Sequence, residues 1–412
     1  MHLFTYKNRK LFAEDVPLSV IAEEFGTPAY VYSQATLERH IGAINGAFES
    51  VGHLTCYSVK ANSSGGILSL FAGHGLGADI VSGGELFRAL RAGIPAGRIV
   101  YSGVGKTPSE IEYALKHGIL MFNVESESEL KTINRIAGTM NLRAPVSFRI
   151  NPDVDPKTHP YISTGLKKNK FGIPHSEALR VYREAAGMSH IEIIGIDAHI
   201  GSQLLDVTPF RAAAERLGAL VEEIQNMGIS LKYIDIGGGL GIRYNTESPP
   251  DPSDWALMII PVIRKTGCAL ILEPGRSMVG NAGILLTRVL YIKSNGEKTF
   301  VIVDAGMNDL ARPSLYGSYH AILPALERKT PLRTVDVVGP ICESGDFIAK
   351  DREMSMPEEG DILAVMSAGA YGMSMSSNYN SRPRAVEIMV NGSEKKQITD
   401  RETWEDLVRK ER

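Results

Sequence analysis

The sequence predicts an α/β protein in two parts, a closed (β/α)8 barrel followed by an all-β domain, and three observations support this prediction. The chain has 412 residues, more than one hydrophobic core usually serves. Short apolar segments alternate with helical patterns from about residue 55 to residue 276. After residue 276 the apolar segments continue without helical patterns, which indicates β structure alone.

The predicted barrel strands are nearly continuous in apolar residues, as is typical of parallel strands buried on both faces. They are TCYSVK, GADIVS, RIVYSG, LMFNVES, PVSFRIN, IIGIDAHI, YIDIGG and ALILEPG. Eight such strands alternating with helices in about 220 residues match a closed barrel better than an open doubly wound sheet.

Several predicted helices begin with a capping box, in which a hydroxyl and a carboxylate satisfy backbone N–H groups reciprocally. The pairs are Ser82 with Glu85, Thr107 with Glu110, and Ser126 with Glu129. Gly93 and Gly118 indicate helix ends.

The second domain is predicted from strand segments separated by Gly, Asn and Pro turns. These segments are ILLTRVLYIK, TFVIVDAG, RTVDVVG, DILAVMSAG and AVEIMVNG. We therefore expect an N-terminal strand segment (1–25) that packs with the β domain, a barrel (26–276) and a C-terminal β domain (277–412).

Composition excludes several classes of protein. The formal net charge of −3 and the absence of single-sign tracts argue against nucleic-acid or membrane-surface partners. Three scattered cysteines, none in a CxxC pattern, fit a reducing compartment. The N-terminal MHLFTYKNRK has no apolar signal region, and the longest apolar run, WALMIIPVI, is too short to span a bilayer. We expect a soluble, cytoplasmic protein.

Unusual residues follow the predicted strands at the end where (β/α)8 barrels carry their active sites. Lys60 ends the first strand, His199 follows the sixth, Gly237–Gly241 (GGGLG) follows the seventh and Glu273 ends the eighth. A desolvated lysine amine can form a covalent bond with a carbonyl compound, and a glycine turn can cradle phosphate. Together these residues predict a pyridoxal-phosphate site, with Glu273 at the ring nitrogen and His199 stacked on the ring.

Each feature taken alone has a simpler interpretation. Lys60 could be a surface lysine with a buried stem, and the glycines could form an ordinary tight turn before a helix. Glu273 could make a surface ion pair with Arg276. A lone histidine is most often a core residue, so the role of His199 depends on its position.

Seven motifs occur in order between about residues 25 and 390: YSVKAN, HIGSQL, GGGLG, EPGR, RPSLYG, CESGDF and GAYGMSMSSNYNSRPR. With them the sequence resembles the alanine-racemase-fold, pyridoxal-phosphate-dependent decarboxylases, in particular those acting on diaminopimelate. The resemblance implies a TIM-like barrel joined to a β domain and a homodimer with shared active sites. It also implies conversion of meso-2,6-diaminopimelate to L-lysine and CO2.

The resemblance also assigns residues to roles, and no metal is among them. Lys60 would bind the cofactor covalently and His199 would stack on it. The implied cofactor-binding residues are Lys60, His199, Ser202, Gly238, Gly239, Glu273, Gly275, Arg276 and Tyr371. The implied substrate-binding residues are Arg276, Arg312, Tyr316, Glu343 and Tyr371. A guanidinium can bind a carboxylate at the distal end of the substrate. Diaminopimelate has such a carboxylate, whereas lysine and ornithine do not.

Cys342 lies in the turn-rich segment Gly339–Phe347 (GPICESGDF), where nothing indicates core packing. By the resemblance, its thiol would protonate the carbon that has lost CO2, in the barrel of the partner subunit. A small buried hydrophobe would be the alternative in an apolar strand.

Other functions remain open at this stage. A decarboxylase of the same fold could act on carboxynorspermidine or a D-amino acid, and a non-catalytic cofactor-binding protein or a dimeric scaffold are more distant alternatives. The lysine-rich segment 158–172 could be a lid or a static loop.

Overall fold

The computed structural model describes residues 2–154 and 170–412. The chain divides into two compact units. The barrel unit comprises Ile41–Ile242 and Ser248–Ser277, and the β unit comprises Met1–His40, Arg243–Glu247 and Met278–Arg412. The segment 158–172 falls mostly outside the described residues, so its predicted role as a lid stays a prediction.

The strands, in chain order, are β1 (Phe4–Lys7), β2 (Lys10–Ala13), β3 (Val16–Pro17), β4 (Ala29–Ser33), β5 (His53–Ser58), β6 (Gly77–Ile80), β7 (Ile99–Tyr101), β8 (Met121–Val124), β9 (Ala144–Asn151), β10 (Ile173–Pro174), β11 (Ile191–Asp197), β12 (Tyr233–Asp235), β13 (Ala269–Leu272), β14 (Gly283–Ser294), β15 (Thr299–Val303), β16 (Ile322–Pro324), β17 (Leu332–Val338), β18 (Phe347–Ser355), β19 (Ile362–Val365), β20 (Val386–Asn391) and β21 (Glu394–Thr399). The helices are α1 (Leu18–Phe25), α2 (Gln34–Ala47), α3 (Gly65–Gly73), α4 (Gly83–Arg91), α5 (Pro108–His117), α6 (Glu127–Thr139), α7 (Ala178–Ala186), α8 (Thr208–Asn226), α9 (Pro252–Thr266), α10 (Arg276–Val279), α11 (Arg312–Tyr316) and α12 (Trp404–Val408).

The barrel unit is built on parallel strands that close on themselves. The order is β5-β6-β7-β8-β9-β11-β12-β13, and β13 pairs back with β5. These are the eight strands predicted from the sequence, and in the described residues the short β10 adds one further parallel pairing to β9. The predicted fold class, a (β/α)8 barrel with an additional β domain, is confirmed.

The predicted helix signals act as capping chemistry requires. Thr107 and Glu110 form a complete capping box at the start of α5, and Gly118 ends α5 in the left-handed conformation with φ of 67°. The Ser82 hydroxyl accepts from the Glu85 amide. These caps fix the residue at which each helix begins. They therefore help to position the loop between each helix and the strand before it.

The β unit contains a mixed sheet in the order β18-β17-β15-β14-β4-β20-β21, with β19 also paired to β14 and β16 paired to β19. Strands β1–β3 form a small antiparallel sheet, and their buried residues share one hydrophobic cluster with strands of the larger sheet.

The boundary predicted at residue 26 differs from the observed one. All residues of β4 are buried, and β4 pairs with β14 on one side and with β20 on the other. Its backbone hydrogen bonds therefore belong to the β unit, and the barrel unit begins only at Ile41.

None of the described helices is long and apolar enough to cross a membrane.

Candidate active site

Lys60 stands at the end of the first barrel strand. It lies in a 3-10 turn, Val59–Ala61, directly after β5. Its ammonium Nζ donates to Asp79 Oδ2 at 2.6 Å, and the Ser58 hydroxyl donates to the same oxygen at 2.5 Å. The Lys60 side chain is 35% exposed whereas the Asp79 side chain is fully buried. The amine is therefore both reachable and held by a buried carboxylate.

Glu273 follows β13 and is buried among polar groups from neighbouring strands. The Ser102 hydroxyl donates to Glu273 Oε1 at 3.3 Å, and the Asn123 amide Nδ2 lies 3.4 Å from the same oxygen. Ligand atoms of Asp197, Asp235 and Glu273 all lie within 4.8 Å of one another. Three buried carboxyl groups thus share the barrel interior below the strand ends.

The shared burial changes the acidity of these groups. Burial, with the nearby Asp79 charge, raises the pKa of Glu273 from 4.5 to about 7. Burial and the Glu273 charge raise the pKa of Asp235 and of Asp197 well above the usual range. Arg149, which lies 4.0 Å from Asp197 and 2.8 Å from Glu125, supplies compensating positive charge. The raised pKa values mean that these three carboxyl groups stay protonated to higher pH than exposed carboxyl groups do.

His199 follows β11 and is half-buried. Burial of the ring, together with the positive charges of Arg149 and Lys60, lowers the pKa of His199 well below its usual value. The ring is therefore neutral. It packs against Gly237, where an added Cβ would lie 2.8 Å from His199 Cδ2.

The glycine turn after β12 requires glycine at successive positions. Gly237 and Gly239 have φ of 67° and 112°. A Cβ on Gly238 would lie 2.1 Å from the Glu273 carbonyl oxygen, and one on Gly239 would lie 2.4 Å from that of Gly201. The turn therefore packs directly against neighbouring backbone, which is possible only because side chains are absent.

Arg276 begins α10 just after the EPG turn and is buried. Its Nη2 and Nε donate to the Ser202 hydroxyl at 3.1 and 3.3 Å. Gly275 is needed next to it, because a Cβ there would lie 2.9 Å from Ser58 Cβ. The barrel unit thus brings together the predicted residues Lys60, His199, Ser202, Gly238, Gly239, Glu273, Gly275 and Arg276.

The remaining predicted residues belong to the β unit. Arg312 and Tyr316 lie on α11, with Arg312 buried and Tyr316 half-buried. Tyr371 adopts a positive φ of 57° and precedes Gly372, where a Cβ would lie 2.4 Å from the Ala368 carbonyl oxygen. A bulky residue at positive φ is strained, so this conformation must be imposed by the surrounding packing.

Cys342 and Glu343 are exposed on the turn before β18. The buried Asp346 holds this turn, since its carboxylate accepts from the amides of Ile341 at 2.6 Å and Met307 at 2.7 Å. The Cys342 amide donates to Asn380 Oδ1 at 2.8 Å. The turn thus presents a thiol on a backbone that is fixed from both sides.

The turn is also connected to neighbouring elements. The Ser314 hydroxyl of α11 donates to the Gly345 carbonyl at 2.6 Å. The Tyr379 hydroxyl donates to Glu343 Oε2 at 3.3 Å. Within the β unit, α11 and the Cys342 turn therefore form one connected group.

The chemistry of the barrel residues fits pyridoxal phosphate. The glycine turn has no side chains that would keep a ligand from its backbone, Lys60 offers an amine, and Glu273 offers a buried carboxyl whose charge a protonated ring nitrogen would stabilise. The neutral His199 ring offers a flat surface next to the turn. Lys60, His199, Glu273 and the glycine turn would hold the group, which when bound withdraws electrons from the carbon that loses CO2.

A barrel with a reachable lysine, a side-chain-free turn and a buried carboxyl at one end defines a pyridoxal-phosphate enzyme of the barrel type. The family model "Pyridoxal-dependent decarboxylase, pyridoxal binding domain" matches residues 34–280. The chain belongs to the pyridoxal-dependent decarboxylase family.

Individual relatives are similar over nearly the whole chain. Diaminopimelate decarboxylase of Pseudomonas aeruginosa is 51% identical over 407 residues, covering 99% of this chain and 98% of the relative. That of Aquifex aeolicus is 50% identical over 404 residues, covering 98% and 96%.

Solved structures agree in fold. Diaminopimelate decarboxylase from Helicobacter pylori complexed with L-lysine has a TM-score of 0.92 and 45% identity, covering 95% of this chain and 98% of that one. The enzyme from M. jannaschii in co-complex with L-lysine has a TM-score of 0.95 and 39% identity, covering 100% and 98%.

Sequence reasoning missed several polar residues that surround the predicted ones. Asp79 contacts Lys60, Ser102 and Asn123 contact Glu273, and Asn380 contacts the Cys342 turn. The available signal was a single polar residue within an otherwise apolar strand, as in GADI and MFNV. Such a residue must find a buried partner, and the strand ends are where partners meet.

Proposed function

We propose that this protein removes CO2 from meso-2,6-diaminopimelate to give L-lysine, the last step of lysine biosynthesis, with pyridoxal phosphate as cofactor. The observation that carries the proposal is the identity of about one half, over nearly the full chain, to diaminopimelate decarboxylases. The site residues of the barrel unit supply chemistry that such a reaction needs.

The barrel residues would divide the work of holding the cofactor. Lys60 would bind it covalently, and the buried Asp79 would compensate the positive charge of that amine. Glu273 would pair with the ring nitrogen, and the neutral His199 would lie flat on the ring. Gly238 and Gly239, with Ser202, Gly275 and Arg276, would surround the phosphate.

The substrate's distal end carries a carboxylate and an amine, and the β unit offers groups of matching charge. Arg312 would bind the carboxylate, aided by Tyr316, and Arg276 of the barrel unit would contribute a second guanidinium. Glu343 would accept from the amine. Tyr371 would contact both cofactor and substrate.

Cys342 would deliver the proton to the carbon that has lost CO2. Its exposure on a fixed turn is compatible with action in the barrel of a second subunit, so we propose a homodimer with shared active sites. The thiol donates its proton and is restored from solvent in each turnover, so no other reactant is consumed.

The decisive experiment is CO2 release by the purified, pyridoxal-phosphate-loaded protein. We expect strong preference for meso-diaminopimelate over L-lysine, L-ornithine, L-arginine and carboxynorspermidine, with L-lysine as the product. Preference for carboxynorspermidine or for another of these amines would retain the fold and cofactor but overturn the substrate.

We also propose that the protein works in the cytoplasm. Its cysteines are all free thiols, with Cys342 exposed and Cys56 and Cys268 buried. An exposed thiol that acts as a proton donor requires reducing surroundings. Fractionation of cells that express a tagged chain, with detection in the cytoplasmic fraction, tests this location.

A further inference from the structure

Arg312 is buried in the β unit and contacts two aromatic rings. Its Nη1 lies 3.1 Å from His320 Nε2, and its guanidinium carbon lies 4.7 Å from the centre of the Tyr244 ring. The rings of Tyr244 and His320 meet edge to face, with centres 5.4 Å apart. His320 is fully buried and Arg312 is 6% exposed. The guanidinium is thus held at one edge by a histidine and on one face by a tyrosine.

The hydrogen bonds of His320 determine which of its nitrogens carries the proton. Its Nδ1 lies 2.8 Å from the Met366 carbonyl oxygen, which can only accept, so Nδ1 carries hydrogen. Arginine always donates, so His320 Nε2 must present its lone pair to Arg312. The geometry therefore requires a neutral ring of one defined tautomer.

The histidine itself is held in place by its backbone. Arg352 Nη1 donates to the His320 carbonyl oxygen at 2.8 Å, and the Arg352 guanidinium lies over the ring of Tyr319 at 4.0 Å. Backbone and ring of His320 are thus both restrained. A restrained acceptor fixes the plane of the arginine fork, which a flexible side chain cannot do alone.

We propose that His320 is a positioning residue that orients Arg312 for the distal carboxylate, and that it thereby sets the selectivity for ligands carrying that carboxylate. This inference rests on the proposed function, in which Arg312 binds the distal carboxylate. In this role His320 acts through Arg312.

A pair of ligands isolates the contribution of the carboxylate. Decarboxylation at one end of diaminopimelate leaves the other carboxylate untouched, so the carboxylate of the product L-lysine is the group that was distal. The diamine 1,5-diaminopentane has the same chain and both amines but lacks this carboxylate. The ratio of their dissociation constants from the holoenzyme, measured from cofactor absorbance, therefore reports the carboxylate site.

Two substitutions separate the two hydrogen bonds of His320. The Asn amide in His320→Asn can replace Nδ1 and keep the bond to Met366, but it removes the acceptor that His320 Nε2 offers to Arg312. The Gln carbonyl in His320→Gln can replace Nε2 as the acceptor for Arg312, but it loses the bond to Met366. His190→Asn is a matched control, because His190 Nδ1 also contacts a carbonyl, that of Leu142, at 3.2 Å.

In His320→Asn we expect L-lysine to bind about tenfold more weakly, as is typical when a hydrogen bond to a charged group is lost, with 1,5-diaminopentane unchanged. The KM for meso-diaminopimelate should rise by a similar factor of about ten, while kcat changes less than about threefold. His320→Gln should retain most of the preference for L-lysine, and His190→Asn all of it.

The outcomes distinguish this inference from the proposed function. Wild-type holoenzyme that binds both ligands equally would overturn both. Wild-type preference for L-lysine that persists undiminished in His320→Asn would overturn the positioning role alone, as would equal weakening of both ligands in that variant. If His320→Asn does not fold, the test passes to cofactor-loaded His320→Gln, in which loss of the preference would contradict the role.

Discussion

At the residue scale, two lysines near the barrel strand ends differ in their surroundings. The Lys60 side chain is 35% exposed and contacts Asp79, whereas Lys106 is 1% exposed and contacts Glu129 at 2.7 Å. Lys106 also donates to the carbonyls of Gly103 and Asn123, each at 2.8 Å. These contacts favour Lys60 as the residue that binds the cofactor covalently.

We therefore expect borohydride reduction of the holoenzyme, followed by peptide mapping, to place the cofactor on Lys60. Lys60→Ala should abolish the trapped product and reduce decarboxylation by several orders of magnitude, because it removes the amine that binds the cofactor covalently. Cofactor trapped on Lys106, or trapping that persists in Lys60→Ala, would contradict this assignment.

Glu273 makes the stability of the cofactor-free protein depend on pH. Its pKa is raised from 4.5 to about 7, mainly by burial, so folding favours the protonated form. The stabilisation is fully present below pH 4.5 and is lost as the pH rises through 7, because the folded state then releases a proton that it holds more tightly than the unfolded state.

Glu273→Gln should accordingly be more stable than wild type at pH 8, by at most about 3 kcal/mol, and similar to it near pH 5. Thermal unfolding of both proteins after cofactor removal, measured between pH 5 and 8, tests whether the difference in stability between Glu273→Gln and wild type increases with pH. A gap that does not change with pH would mean that Glu273 ionises normally.

Sequence reasoning identified Lys60 and Glu273 because each interrupts an apolar run at a strand end. Asn123 and His320 were not identified from the sequence, because their roles depend on their partners. The partner of Asn123 is Glu273, 150 residues away, and the partner of His320 is Arg312 on α11. A polar residue can be recognised as unusual from its local pattern, but its partner is known only after the strands are placed side by side.

At the scale of elements, the ends of β12 and β13 interlock through the glycine turn. The Glu273 amide donates to the Gly237 carbonyl at 2.8 Å, and Gly238 has room for no side chain against the Glu273 carbonyl. A methyl group at Gly238 must therefore displace the backbone that carries Glu273.

We expect Gly238→Ala to destabilise the protein by about 1–3 kcal/mol, as overpacking does, and to weaken cofactor binding at least tenfold. Gly42→Ala is the matched control, because Gly42 lies in α2 with nothing within 4 Å of an added Cβ, and alanine there should stabilise by about 0.5–1 kcal/mol. Denaturant unfolding and cofactor titration measure both. Equal effects of the two substitutions on stability and on cofactor binding would contradict the proposed packing of Gly238 against Glu273.

Elements with a local signal were predictable, and elements defined by distant pairing were not. The parallel barrel strands can be recognised in the sequence as continuous apolar segments. The apolar β4, AYVYS, looks like the start of a barrel, yet its partners are Gly283–Leu286 in β14 and Val386–Val390 in β20. Strands β18 and β21 were missed because their charged residues leave little apolar pattern in the segments FIAKDREMS and EKKQIT.

At the scale of the whole molecule, the proposed dimer places Lys60 and Cys342 of one active site on different chains. Cys342 lies on an exposed turn whose backbone is fixed by Asp346 and Asn380, so the thiol projects from a firm support. Such a support allows a residue to serve a neighbouring subunit without losing its position.

Mixing Lys60→Ala chains with Cys342→Ala chains tests this arrangement. In a hybrid dimer one site has lost both groups and the other retains both, so an equal mixture should recover about a quarter of wild-type CO2 release, since half of the dimers are hybrids. Two affinity tags, one on each chain, allow the hybrid to be purified and subunit exchange to be verified. A purified hybrid without activity would place the thiol in the site of its own chain, because each site would then lack either its lysine or its cysteine.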